Sequence, residues 1–402
     1  MTAVSTLAKF VHRAAVMLAL LGVAHNPRSA AIQDAQSRYD GRFRLSATKG
    51  LEEAYLRRLF PSSHAANLLE LRNGDLLCFW FSGTEEGESN VAIVMSRLPK
   101  GLRAWGKAVE IDHQKGKSFQ NPVAFQTSSG RIWLMHTSQS AGQGQGDAQV
   151  FYLTSDNFGR SWTKPRPLFT KAGSFIRHPP LLLKDKWILP LYYTPSSSIT
   201  DGAQNHYSVT MITSDAGRSW KQCTIPKSHG LVQPDIVRLA NKTFVAFFRS
   251  RYADFIYRSN SKDGCAWSIP VPTRLPNNNS SVQATALRNH SLALVFNNTN
   301  VDAEDRKPRT GQRKPLTIAL SQDDGNTWNW LRDIEIGTTE QHTSADDEQE
   351  YSYPSVLQDQ TGKINVAYTF LRKTIKVVRF EEDWIKQGKT TGKFQGDSRV
   401  AR

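Results

Sequence analysis

Four segments of this chain repeat one short pattern, Ser/Thr-x-Asp-(x)-x-Gly-x-x-Trp, with small variations in length. They run from Thr154-Ser155-Asp156 to Trp162, from Thr213-Ser214-Asp215 to Trp220, from Ser261-Lys262-Asp263 to Trp267, and from Ser321-Gln322-Asp323 to Trp328. In the third, Gly264-Cys265-Ala266 shortens the approach to the tryptophan. Each is a hairpin stabiliser. A strand ends at the Ser/Thr, and the Asp side chain holds an Asx-type turn on nearby amides. The Gly takes a backbone conformation that other residues avoid, and the Trp opens the next strand and packs back over the turn. Weaker echoes lead to Trp105 and Trp384, so the six tryptophans fall roughly 50–60 residues apart. Repeats of that length, each holding several strands, are propeller blades rather than turns of a helical solenoid. An all-β, six-bladed β-propeller with Asp-box repeats is therefore predicted over residues 40–385. Turn sequences such as Arg72-Asn73-Gly74-Asp75 and Gln360-Thr361-Gly362-Lys363 separate its paired strands.

Composition narrows the partners. The formal charge is +15, from 51 Lys and Arg against 36 Asp and Glu, and such a balance attracts polyanions. The basic residues are dispersed, and no helix-turn-helix, zinc-finger or RNA-recognition signature is present, so acidic glycans fit the charge and nucleic acid is not expected. Lys9, His12 and Arg13 precede an apolar run over residues 14–24, which reads as a signal peptide and leader over 1–30. At about eleven residues the run is too short to span a bilayer, which takes roughly 20. The mature protein is expected to be secreted or periplasmic, without stable membrane insertion. The basic, Gly-rich tail 386–402 is expected to be disordered. Three cysteines, Cys78, Cys223 and Cys265, permit at most one internal disulfide and fit no metal-ligand spacing. No metal or organic cofactor is implied, and the fold is not expected to depend on cystines.

The Asp boxes, the run Asn67-Leu68-Leu69-Glu70-Leu71 before a Gly turn, and Tyr351-Ser352 before Val356-Leu357 together resemble the BNR-repeat sialidases over roughly residues 55–385. That resemblance implies a site in which three arginines clamp a substrate carboxylate. A tyrosine paired with a glutamate is the nucleophile, and a loop aspartate is the acid/base. Guanidinium forks suit an anionic sugar, and a neutral phenol attacks an anionic centre with less repulsion than a carboxylate would. Carried onto this chain, Arg249 matches the second arginine and Arg313 the third. Tyr351 matches the nucleophile, with Tyr353 as the alternative.

Several positions depart from the family pattern. His64, in Pro61-Ser62-Ser63-His64-Ala65, stands where the first arginine is expected, and Gln233 stands where the assisting glutamate is expected. Glutamine cannot take a proton from tyrosine, so Asp235, two residues on along an extended strand, or Glu350 is the expected activator. The acid/base loop offers Glu85, Glu86 and Glu88, of which Glu86 is preferred because Gly87 lets the backbone turn toward the pocket. Arg177, His178 and Arg372 lie between blade strands and are further candidates for holding a carboxylate. The first expectation is an exo-acting glycoside hydrolase that removes a terminal acidic sugar. A uronate-specific polysaccharide lyase using His64 or His178 as base and a non-catalytic glycan-binding propeller are the alternatives.

Overall fold

The computed structural model describes residues 38–195, 202–337 and 349–397, so the leader over 1–30 lies outside the described residues. The chain forms six antiparallel sheets arranged as the blades of a propeller. Blades 1, 2, 4 and 5 each have four strands in chain order, and their innermost strands are Ser62–Glu70, Lys117–Gln126, Leu231–Arg238 and Gln283–Ala286. In blade 3 the innermost position is split into Ser174–Phe175 and Leu181–Leu182, both paired to Trp187–Tyr193. Blade 6 comprises Tyr351–Gln358, Ile364–Phe370 and Thr374–Phe380, and the early strand Glu52–Tyr55 completes it and closes the ring. Across that seam Arg379 Nε lies 2.5 Å from Glu52 Oε2, and Lys376 Nζ lies 2.9 Å from Glu53.

The Asp boxes do what their chemistry requires, with one change of register. In the second box Thr213 Oγ1 donates to Asp215 Oδ1 at 2.7 Å, and the same oxygen accepts the Ser219 N–H at 2.9 Å. The fourth box repeats this with Ser321, Asp323 and Thr327. In the first box the equivalent residue is Asn157, bonded to Ser155 Oγ and to the Ser161 N–H. Asp156 instead faces outward and pairs with Arg131. The box glycines Gly159, Gly217, Gly264 and Gly325 have φ between +76° and +88°, a region that a Cβ disfavours.

A second recurrent device shapes the interior. Four innermost strands carry a bulge, after His64, Gln120, Val232 and Ser352, and the residue that follows takes positive φ: Ala65, Asn121, Gln233 and Tyr353. Proline occupies the next position in three of them, as bulges permit. Residues just beyond the kink latch neighbouring blades. Asn67 accepts the Ala124 N–H at 2.9 Å, Asp235 the Ala284 N–H at 2.6 Å, and Ser355 the Leu68 N–H at 2.9 Å.

Two of the three cysteines form the one internal disulfide the sequence permits, and the C-terminal tail departs from its expected disorder. Cys223 and Cys265 form a disulfide between the outermost strand of blade 3 and the Asp box of blade 4. Residues 387–397, expected to be disordered from their composition, lie over blade 5. Asn298 accepts the Phe394 N–H at 2.9 Å and Asp397 accepts the Trp328 N–H at 2.8 Å, which satisfies polar backbone that would otherwise be left unpaired.

Asp235 gives this latch a measurable pH dependence. Burial pushes its carboxyl up to about 7, against the Ala284 N–H and the Arg177 charge. A raised carboxyl contributes stability that is complete below its unfolded value and is lost as pH rises through 7. Asp235→Asn keeps the acceptor and removes the titration. In urea unfolding, its stability relative to wild type should increase by up to roughly 4 kcal/mol between pH 4 and 8. A difference independent of pH would contradict the assignment.

Candidate active site

The innermost kinks bring the chemistry together at the channel. In blade 6 strand alternation would put Tyr351 and Tyr353 on one face, but the ladder pairs Ser352 with Thr369 and then jumps to Ser355 with Ala367. Tyr353 is therefore left unpaired at φ 51° and swings inward. Tyr351 stays opposite Phe370, its ring packed 5.3 Å from that ring in the hydrophobic core, and burial pushes its phenol up to about 12. The tyrosine among the arginines is Tyr353, the alternative of the sequence reading, and Tyr351 is a core residue.

The same bulge logic separates Gln233 from Asp235. Gln233 turns inward, where its Nε2 reaches the hydroxyls of Tyr192 at 3.4 Å and Tyr353 at 3.5 Å, and its Oε1 accepts from Arg249 at 3.3 Å. Asp235 faces the blade interface and bonds backbone, with His178 Nδ1 3.7 Å away. It activates no tyrosine. His178 is buried, burial holds its imidazole neutral, and neither of its nitrogens is hydrogen-bonded.

Around Tyr353 the structure sets guanidiniums on several sides. Arg249 Nη1 donates to the phenol oxygen while its Nε donates to Asn279 Oδ1 at 2.6 Å. The charged carbons of Arg177, Arg249 and Arg313 lie 5.3, 5.6 and 5.4 Å from the ring centroid. The oxygen thus accepts from Arg249 and Gln233, and among the described residues its own proton has no acceptor. Burial works to raise this phenol, but Arg249 and Arg313 outweigh it and hold it at about 8.

Glu350 anchors the other side. It accepts from Arg313 and Ser352, each at 2.5 Å, and from Arg372 Nε at 2.8 Å. Burial raises it, yet the two guanidiniums bring it down to about 2, so it is a fixed anion and not a base for Tyr353. Arg372 also donates to Glu86 at 2.7 Å, which places the preferred glutamate of the 84–90 loop at the edge of the cluster. His64 is buried with its ring 4.1 Å from that of Tyr353, and its Nδ1 lies 2.8 Å from Thr369 Oγ1 and 3.5 Å from Glu350. Desolvation, reinforced by the surrounding arginines, keeps it neutral.

Arg177 belongs to the frame and not to the ligand. It donates to the carbonyls of Ala66, Tyr353 and Pro354 at 3.0–3.2 Å and to Ser281 Oγ at 3.1 Å. Tyr192 and Thr369 belong to none of the sequence motifs, and Ser352 appears in them only beside Tyr351. Tyr192 sits in an apolar strand that gives no local sign of its role, and Thr369 reaches the site only because blades 6 and 1 adjoin. A cavity of about 1120 Å³ lies at the rim between blades 2 and 3. Its carboxylates are already committed, Asp215 to its turn and Asp156 to Arg131, and none of the clustered residues lines it.

Residues 74–366 match the sequence profile described as "BNR repeat-like domain". Among solved structures the chain is similar to the Hadza microbial sialidase Hz136, at 14% identity and a TM-score of 0.64, over 81% of this chain and 66% of that one. The NanB sialidase of Streptococcus pneumoniae gives 14% identity and a TM-score of 0.64, over 86% and 71%. The leech intramolecular trans-sialidase gives 12% and 0.62, over 81% and 69%. This chain thus spans about two thirds of the length of these proteins, and at such identities the likeness establishes the shared propeller fold. No curated protein sequence matches.

Arg177→Met strips donors from three buried carbonyls. It should cost roughly 3 kcal/mol or more, read as a lower urea midpoint at unchanged slope. A loss below about 0.5 kcal/mol would show that Arg177 is not a structural tie.

Proposed function

The chain belongs to the BNR repeat-like, sialidase-like superfamily, and from that premise we propose that it is an exo-acting glycoside hydrolase removing a terminal acidic sugar, sialic acid or a relative, from glycans. The observation that carries this reading is the environment of Tyr353, whose oxygen accepts hydrogen bonds from Arg249 and Gln233 and whose proton has no acceptor among the described residues. A glutamate at position 233 would remove the phenolic proton; here two guanidiniums lower the phenol to about 8 instead, so a fraction of phenolate exists near neutral pH without a partner base. Tyr353 is then the nucleophile and Gln233 orients it. Arg249, Arg313 and Arg372 receive the substrate carboxylate, which competes with Glu350 and Glu86 for the latter two. Glu86, freed from Arg372, takes up a solvent proton and passes it to the leaving oxygen as Tyr353 bonds to the sugar, and then takes a proton back from the water that breaks the sugar–Tyr353 bond. The scheme uses side chains of this chain and one water, and its substrate is an acidic glycan, in keeping with the sialidase structures it resembles and with its basic charge.

One observation favours a second reading, the uronate lyase. His64 is neutral and packed against Tyr353, an arrangement suited to abstracting the proton α to a carboxylate while the phenol serves the leaving oxygen.

A panel of sialosides and uronic-acid oligosaccharides separates these. The expected result is release of free sugar, reduced at least about 10³-fold in Tyr353→Phe and by less than about tenfold in Tyr351→Phe. An unsaturated product absorbing in the near ultraviolet would establish the lyase instead. Binding without any product would leave a glycan-binding propeller and sink both enzymatic readings.

A further inference from the structure

Beside the phenol and its arginines lies a second cation that nothing in that scheme uses. Arg251 follows the strand Phe244–Ser250 that carries Arg249, and it is 1% exposed. Its backbone is pinned: the N–H donates to Gly230 O at 2.8 Å, and the carbonyl accepts the Arg309 N–H at 2.9 Å. Its guanidinium makes no hydrogen bond or ion pair with any described residue, and its buried Nε is left without an acceptor. A buried arginine normally finds a carboxylate or several carbonyls, as Arg177 and Arg372 do here, because an unpaired buried charge is costly. Desolvation, with the neighbouring Arg249 charge, pulls Arg251 down to about 9 against the opposing influence of Tyr192 and Tyr353.

Tyr192 shares the predicament. It is 1% exposed, and its hydroxyl receives a hydrogen bond from Gln233. Its own proton has no acceptor among the described residues, and its ring packs with Val232, the ladder partner of Arg249, two residues from the Gly230 carbonyl that holds the Arg251 N–H. The segment after blade 5's second strand passes directly beside Arg251, through the Arg309 N–H contact. That segment carries Arg306, which stacks 4.4 Å over Tyr252, and Lys307 and Arg309, both paired with Asp305. Donors without acceptors thus sit next to the Arg249–Tyr353 cluster.

We infer that Arg251 and Tyr192 form a second oxyanion subsite, so that the preferred ligand is a glycan bearing two anionic groups, the terminal sugar's carboxylate and a further carboxylate, sulfate or phosphate ester held by Arg251. This rests on the acidic-glycan reading for the first group, but the subsite itself stands on Arg251 and Tyr192 alone. Arg251 is then a specificity residue whose charge is neutralised by ligand and not by the fold.

Arg251→Met, of similar volume and uncharged, tests it through stability and binding together. Removal of an unpaired buried charge should leave the thermal midpoint unchanged or higher, whereas a structural arginine would lower it. Inorganic sulfate should raise the wild-type midpoint, and the rise should fall to half or less in the variant. By calorimetry, wild type should bind a sulfated, a phosphorylated or a second-uronate disaccharide about tenfold or more tighter than the singly charged uronate. The variant should lose that gain while keeping the singly charged affinity within about twofold. Whichever of the three esters or acids shows the gain identifies the oxyanion. A lowered midpoint, a sulfate response untouched by the substitution, or equal loss for singly and doubly charged probes would overturn the subsite. A wild type that binds none of the sugars but keeps a sulfate response lost in Arg251→Met would sink the glycan reading and leave the subsite standing.

Discussion

The Arg177 guanidinium, buried at the channel, ties together backbone from blades 1 and 6 and a serine beside blade 5, while its own residue comes from the interrupted inner strand of blade 3. Inner strands of a propeller converge, and the bulges that kink them leave carbonyls without ladder partners. Buried carbonyls must be satisfied, and a forked, permanently charged donor satisfies three at once. With those carbonyls fixed, the backbone of Tyr353 is held at a positive φ that a non-glycine residue adopts only under constraint. The position of the phenol therefore depends on an arginine that touches no ligand.

Electrostatics then decides what the phenol can do. The cluster holds more guanidiniums than carboxylates, and its one deeply placed carboxylate, Glu350, is saturated by Arg313, Arg372 and Ser352. The surplus positive charge has two consequences of the same origin: it lowers Tyr353, and it gives the site a field that attracts anions. Gln233 is intelligible in that setting. A carboxylate there would have raised the phenol and repelled an acidic ligand, whereas an amide positions the oxygen without altering the balance.

Much of the architecture was legible in the sequence because Asp boxes and tryptophans report local turn chemistry, which survives any tertiary context. The tryptophan spacing yields six blades, and only the register of the first box, where Asn157 replaces the expected Asp156, depends on the folded turn. His64, Gln233, Arg249, Arg313, Glu350, Arg372 and Glu86 were each picked out, and the fold brings them into one cluster. Tyr351 and Asp235 point to chemistry in the sequence and are structural in the fold, because bulges re-aim their strands; Arg177, between the split inner strands of blade 3, is structural because its donors go to carbonyls of blades 1 and 6. Period-two alternation assumes an unbroken strand, and a bulge breaks it. The signal for the bulges is present in Asn121-Pro122, Gln233-Pro234 and Tyr353-Pro354, prolines inside inner strands, and in the last two the residue before the proline is the one that turns inward. Contacts such as His64 with Thr369 depend on ring closure and leave no local trace.

The central claim is that Arg249 and Arg313 make Tyr353 an ionisable phenol, and ultraviolet titration of the tyrosines measures this without any substrate. The account predicts a single-tyrosine component near pH 8 in wild type, absent in Tyr353→Phe, retained in Tyr351→Phe, and moved upward in Arg249→Gln. A wild-type titration lying wholly at or above the ordinary tyrosine range, and unchanged near pH 8 by Tyr353→Phe, would contradict it.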